Sequence, residues 1–405
     1  MSAVVTFSRN RIAYTVSKSL SKKGIKVINC DSVYPAMTYF SKYSHSFFVH
    51  PVYTEDPSGF VRNILVKLQK LKPDVLIPCH EEAVLIAYFK RMFEKHTIVP
   101  IASYEKIEMA RDKTKMTELA QSLGIPIPKT YQVKNVGNLS QISEEIEFPI
   151  VIKIPRGRGA WGVSYVRNKE ELIRDYKNIL QKFGHKSGVP FLQEYIPGDG
   201  YGVSMLFNSG ELRAKFTHKR LLEYPITGGA SVERISVKKP KMEEYAQKIL
   251  SHLQWHGVAM IEFKLDRRSG KPTFLEINPR FWGSLHQAVR AGVDFPALLY
   301  EMAVTGDVKP VFNYNVGIRT VWVFGQIQTI LDSIRKGRTT EVFKKLKPFH
   351  RDTYYDDFSL TDLTPFFVEP IPYLIEFFRK GSLDAYTPID EPLESVKQLK
   401  FRNLN

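Results

Sequence analysis

Cysteine is almost absent from this chain. Of 405 residues only Cys30 and Cys79 are cysteines, far apart and each after an apolar stretch. That excludes a disulfide scaffold and any metal centre built on clustered thiolates, and it fits reduced structural thiols in a cytoplasmic protein. Long apolar runs are missing too. No stretch of roughly 18 uncharged apolar residues occurs, so no membrane span is expected. The nearest candidate, 321–334, contains Gln326, Gln328 and Asp332. The first ten residues hold too short an apolar run for a secretory signal. There is no internal repeat of about 20–50 residues, no low-complexity tract, and no helix-turn-helix, RNA-binding signature or long basic tail. Acidic residues are outnumbered, 42 against 58 Lys and Arg, for a net charge of +16. The excess favours anionic partners, but it is spread along the chain as a solvated basic surface would be, and a nucleic-acid partner is not expected.

What is present is a soluble globular composition, 43% hydrophobic and 25% charged. The length implies two to four packed subdomains. Residues 3–7, 26–30 and 74–78 read as strands, and 11–22, 57–72 and 81–93 as helices. Such alternation indicates a parallel sheet covered by helices. The first βα turn, Ser8-Arg9-Asn10-Arg11, lacks the glycine fingerprint of dinucleotide binders, so this Rossmann-like layer need not bind NAD. Residues 105–123 read as one amphipathic helix, stopped by Gly124 and the prolines that follow.

The densest chemistry lies in Met260–Asp266 and Phe274–Arg280. Both segments alternate apolar and polar residues as half-buried strands do, and Arg268-Ser269-Gly270 between them reads as a hairpin turn. A hairpin symmetric about Ser269 sets Glu262 opposite Glu276. The two-residue repeat of a strand puts Asn278 on the same face as Glu276, with Leu275 and Ile277 on the buried face. Like charges directly opposite are unfavourable unless a cation lies between them, and hard oxygen ligands suit Mg²⁺.

A second constellation precedes it. Phe148-Pro-Ile-Val-Ile-Lys153-Ile-Pro155 reads as a buried strand whose lysine needs an anion. Arg156 to Val163 follows, a loop with Gly157, Gly159 and Gly162 whose N–H groups could cradle phosphates. Asn168 and Glu171 form an N-cap pair opening a helix over 169–183. Further strands are expected at Pro190–Ile196, Tyr201–Phe207 and Glu211–Phe216, and helices over 241–255 and 283–291. Beyond 310 the pattern changes to aromatics, prolines and isolated charges, read as helices and loops.

In this order the motifs resemble the ATP-grasp superfamily: Asp112-Lys113, Ile152-Lys153 with its glycine loop, Gln193-Glu194-Tyr195-Ile196, Glu262, and Glu276-Ile-Asn278-Pro-Arg280. The resemblance covers about residues 1–310. It implies a mixed α/β and α+β fold: a Rossmann-like N-terminal domain (1–105), an ATP-grasp domain (106–310) with a small lid at about 130–195 and a C-terminal antiparallel sheet, and an extension over 311–405. It implies that Lys113 and Lys153 contact nucleotide phosphates, with Lys115 as a rival to Lys113. Gly157, Gly159 and Gly162 would close over the phosphates, although Arg158 and Trp161 are bulkier than the loop usually carries. Gln193, Glu194 and Ile196 would border the adenine, the last two through backbone groups. Glu262, Glu276 and Asn278 would bind Mg²⁺ or Mn²⁺, and Arg280 would stabilise the phosphate in transfer. His218 is a candidate acid/base group or phosphate contact, and Arg220 and Arg234 are candidates for a substrate carboxylate.

The activity so implied is that of an ATP-dependent ligase. It phosphorylates a carboxylate to an acyl phosphate and joins the acid to an amine, or less often a thiol. The alternatives are activation of bicarbonate, as in carboxylases and carbamoyl-phosphate synthesis, and a non-catalytic nucleotide-binding scaffold. Expected partners are the small acid and amine, with a homodimer possible.

Overall fold

The computed structural model describes residues 1–133, 135–157, 161–224, 228–335 and 353–380. Its N-terminal layer is a four-stranded sheet in the order β3-β2-β1-β4. These strands are β1 (Ser2–Val5), β2 (Lys26–Asp31), β3 (Ser46–Val49) and β4 (Val75–Ile77), and every pairing is parallel. Ala3 to Val5 and Val75 to Ile77 are buried, as expected for a sheet covered on both faces. The helix Arg11–Lys22 starts at Asn10, whose side chain accepts from the Ile12 N–H.

The lid is a separate four-stranded antiparallel sheet, β5-β8-β6-β7. It comprises β5 (Thr130–Tyr131), β6 (Ile150–Lys153), β7 (Val163–Val166) and β8 (Phe191–Glu194). The helix Lys169–Ser187 packs on it, and its start carries the reciprocal cap expected from the sequence. Asn168 accepts from the Glu171 N–H at 2.9 Å, and Glu171 accepts from the Arg167 N–H at 2.8 Å. The lid has its own apolar core, including Ile150, Ile152, Val166, Leu172, Tyr176 and Leu192.

The largest sheet has the order β13-β12-β9-β10-β11-β14-β15. Its strands are β9 (Gly198–Asn208), β10 (Glu211–Tyr224), β11 (Ala230–Ser236), β12 (Gly257–Asp266), β13 (Pro272–Asn278), β14 (Arg319–Val321) and β15 (Thr353–Tyr355). All neighbours are antiparallel except β14 and β15. Two core clusters run through this sheet and the N-terminal layer: Val4, Phe60 and Leu76 belong with Val203, Phe207 and Ile261, and Val5 and Ile77 with Phe216 and Trp282. Each fully buried apolar side chain of this kind contributes about 1.5–3 kcal/mol, so the two units are welded while the lid keeps a core of its own.

Three details depart from the sequence reading. The helix expected over 105–123 is two, Tyr104–Arg111 and Lys113–Ser122. Asp112 breaks it: its backbone is extended, and its side chain accepts from the N–H groups of Thr114 and Lys115, capping the second helix. The segment 81–93 is likewise split, into Ala83–Tyr88 and Lys90–Phe93. Beyond 310, where helices and loops were read, β14 and β15 extend the large sheet, beside the helices Val323–Arg335 and Pro370–Lys380.

Candidate active site

The hairpin of β12 and β13 places Glu262 directly opposite Glu276 and Met260 opposite Asn278. Between Glu262 and Phe263 the register shifts, because Phe263 pairs with Phe274 and Leu275 is left as an extra residue. This β-bulge corrects the expectation for Leu275. Strict alternation would bury it with Ile277, but the bulge turns it to the cavity wall, and Phe274 takes the fully buried position. The carboxylates thus face a cavity of about 400 Å³, lined also by Lys113, Lys153, His218, Arg220, Asn278 and Arg280.

Three cations surround the two carboxylates. Lys113 Nζ lies 3.2 Å from Glu276 Oε2 and donates to the Gly157 carbonyl at 2.7 Å. The break at Asp112 aims it there: Lys113 begins the second helix and is buried, whereas Lys115 is exposed. Lys153, at the end of β6, donates to Gln193 Oε1 at 2.6 Å. Arg220 NH2 lies 2.5 Å from Glu262 Oε1, which also accepts from Asn278 at 3.0 Å. Lys264 lines the same cavity.

Burial and charge set the protonation states. Desolvation raises Glu262 above the usual carboxylate range despite Arg220, and the Glu276 charge adds to the rise. For Glu276, burial pushes the same way, but Lys113 and Lys153 outweigh it and hold the group below its ordinary value. Burial lowers Lys153 to about 8, with Glu276 opposing the fall and Lys113 reinforcing it. Burial also drives His218 well below its ordinary value, assisted by Arg220 and Arg234. A neutral imidazole results, its Nε2 3.3 Å from Ser284 Oγ.

The other predicted residues are placed as follows. Gln193 engages Lys153 but, like Glu194 and Ile196, does not line the cavity. Glu194 pairs with Arg268 at 2.6 Å, while its N–H reaches the Lys129 carbonyl; Lys264 Nζ lies 3.2 Å from the Ile196 carbonyl, which accepts from it. Gly157 and Gly162 fold over Ile154: a Cβ on Gly162 would come within 2.4 Å of that side chain, at φ +65°. Gly159 lies outside the described residues, as does Arg158. Arg280 lines the cavity and donates to Glu81 Oε1 at 2.8 Å. Arg234 is a correction. It does not line the cavity but is fully buried on Asp356, so it holds the fold together instead of meeting a substrate.

Sequence reasoning missed Glu81, Glu223 and Lys264. Glu223 accepts from Arg220 at 2.9 Å and lines the cavity. Lys264 lies two residues after Glu262, and the period of a strand signals its shared face. Glu81 carries no local signal, since its partner Arg280 is 199 positions away.

Comparison with known proteins agrees with this geometry. Residues 112–195 match the family described as the carbamoyl-phosphate synthase L chain ATP-binding domain, and 186–325 match that of an ATP-grasp in the biosynthetic pathway with the Ter operon. Over residues 112–325 the chain is thus similar to ATP-grasp and related ATP-binding domains. It is 26% identical over 214 residues to the 2-oxoglutarate carboxylase small subunit of Hydrogenobacter thermophilus, covering 48% of this chain and 43% of that protein. It is 27% identical over 231 residues to D-aspartate ligase of Enterococcus faecium, covering 52% and 54%. The chain therefore spans about half the length of these curated relatives, or less. Among solved structures, the biotin carboxylase domain dimer of the Hydrogenobacter thermophilus enzyme, in complex with MgADP, ADP and bicarbonate, superposes with a TM-score of 0.65 at 19% identity. That match covers 78% of this chain and 73% of the other. The fold of this chain is the α/β architecture of the biotin carboxylases. No helix among the described residues is long and apolar enough to cross a membrane.

Proposed function

We propose that the protein is an ATP-dependent ligase that activates a carboxylate as its acyl phosphate and joins it to an amine. One observation carries the reading. Two carboxylates on paired strands face a cavity together with Lys113, Lys153 and Arg220, an arrangement that packing does not call for and that a metal–triphosphate would satisfy. The oxygen donors fit Mg²⁺. Glu262 and Glu276 are half-buried at the cavity wall with the Asn278 amide beside them, and no group of three His, Cys, Asp or Glu among the described residues is placed to hold a metal ion by itself. Such a set suits an ion that takes its remaining ligands from phosphate and water. When bound, Mg²⁺ would be held by these three residues and would supply neutralisation of phosphate charge.

Lys113 and Lys153 would hold the phosphates of ATP, and Arg280 the phosphoryl group in transfer. In the first step a substrate carboxylate oxygen attacks the γ-phosphorus and the bond to the β-phosphate oxygen breaks, releasing ADP. In the second step the amine nitrogen attacks the acyl carbon, the acyl–phosphate bond breaks, and phosphate leaves as the amine gives its proton to solvent. Arg220 would orient the carboxylate. His218, neutral and bonded to Ser284, would act as a positioning group and not as an acid.

The test is product analysis with Mg²⁺-ATP, an acid and an amine. ADP and phosphate, formed only when both are present, support the reading; AMP and pyrophosphate contradict it. The match to a 2-oxoglutarate carboxylase subunit favours a second reading, activation of bicarbonate, which predicts ADP release dependent on bicarbonate alone. A homodimer is the assembly we propose, since the structural relative is a dimer.

A further inference from the structure

The cavity wall has two chemically distinct parts. One holds the charged groups described above. The other is made of rings: His80 from the N-terminal layer, Trp282 after β13, and Trp322 and Tyr373 from beyond residue 310. Every acidic side chain on the wall, Glu223, Glu262 and Glu276, belongs to the charged part and is paired with Arg220 or Lys113. The ring part has none. Its cation, Arg11, lies 3.7 Å over the Trp322 ring and 3.5 Å from Asp356.

The rings are held in place from behind. Trp322 Nε1 donates to Glu369 at 3.0 Å, and Asp357 accepts from the N–H groups of Val323 and Phe324 at 3.0 and 2.9 Å. Phe324 packs against Tyr373 with ring centroids 5.4 Å apart. Trp322 and Tyr373 are each only 5% exposed. Among the polar groups that also line the cavity is the Gln328 side-chain amide, which makes no hydrogen bond to a described residue.

We propose that this ring wall, built largely by residues after 310, is the specificity site for the acid substrate, and that it takes a planar aromatic carboxylate. The proposal rests on the ligase reading above. An ammonium-bearing body would meet no acidic partner on this wall, and its desolvation would go uncompensated. A flat ring would meet the parts of Trp322 and Tyr373 that reach the cavity, in the edge-on arrangement that aromatic pairs favour, while fully buried Trp282 backs the wall. Gln328 would read a polar ring substituent, since its amide both donates and accepts. The carboxylate would then reach toward Arg220.

The test uses the full chain with Mg²⁺ and the non-hydrolysable analogue β,γ-methylene-ATP, followed by calorimetric titration of acids. Benzoate and 4-hydroxybenzoate are compared with cyclohexanecarboxylate, of similar size but puckered, and with glutamate. The expected result is that the aromatic acids bind about tenfold more tightly than cyclohexanecarboxylate. Gln328→Leu should remove the preference for the hydroxylated ring, and Tyr373→Leu should weaken both aromatic acids with nucleotide affinity unchanged. Gln328→Leu replaces a half-buried side chain that makes no hydrogen bond to a described residue, so it keeps the test open if Tyr373→Leu fails to fold. Equal or tighter binding of cyclohexanecarboxylate or glutamate, or no binding of any aromatic acid by a protein that binds the analogue, overturns the proposal and leaves the ligase reading standing. Failure to bind the analogue at all removes both.

Discussion

Asp356 should be among the most stability-critical residues in the chain, although it lies in the segment least informative in sequence. It is fully buried and paired with Arg234, itself fully buried, and it lies 3.5 Å from Arg11. Burial raises the Asp356 pKa and lowers that of Arg234, against the attraction between them. Desolvation is therefore the dominant expense, and the pair is tolerable only while both members are present. Asp356→Leu would strand two arginines in the interior. Removing one partner of a buried pair costs about 3–5 kcal/mol, which corresponds to a fall in Tm of about 6–20 °C for domains of this size. Arg234→Met should cost less, because Arg11 remains beside Asp356. The double variant should recover part of the loss, since apolar replacement of a buried pair is often neutral or better. Thermal unfolding followed by circular dichroism, with the four proteins forming a cycle, measures this. Additive losses, or a change of under about 1 kcal/mol for Asp356→Leu, would refute the reasoning and place the pair in a wetter setting.

Other consequences concern the site. Lys153 is lowered to about 8 by burial, below its ordinary, unfolded value. Its proton favours a bound phosphate, so nucleotide affinity should be greatest below about pH 8 and fall about tenfold per unit above it, or 1.4 kcal/mol. By the same linkage, the folded state gains stability relative to the unfolded as the pH rises from 8 towards the ordinary lysine value. Calorimetry of nucleotide binding at about pH 7 and pH 9 reads the first effect, and Lys153→Met should flatten it. Gly162→Ala should weaken nucleotide binding and destabilise the lid by about 1–3 kcal/mol, because the added Cβ meets Ile154 at positive φ. Gly124→Ala, also at positive φ but in open space, is the matched control and should cost about 1 kcal/mol; hydrogen exchange across 150–194 distinguishes them.

The facing carboxylates were legible because local rules fix them: a short turn sets the register and the two-residue period sets the face. The bulge at Leu275 was not, since it depends on how Phe263 and Phe274 fill the core behind the hairpin. Lys113 could not be separated from Lys115 by periodicity, because an aspartate inside a helical pattern does not announce that it will become a cap. The partners Glu81 and Asp356 were invisible for a third reason. Their arginines lie 199 and 122 positions away, and only the folded chain brings them together. The tail after 310 was misread in part because its strands are three residues each, too short to show alternation.

The most direct measurement is a calorimetric titration of Mg²⁺-ATP into the protein and into Glu276→Ala, with and without the metal. The account predicts binding that requires Mg²⁺ and is abolished by the substitution, in a variant that remains folded. Binding that survives both loss of the metal and loss of Glu276, or no binding by the folded native chain, would contradict the assignment of this cavity as a working ATP site.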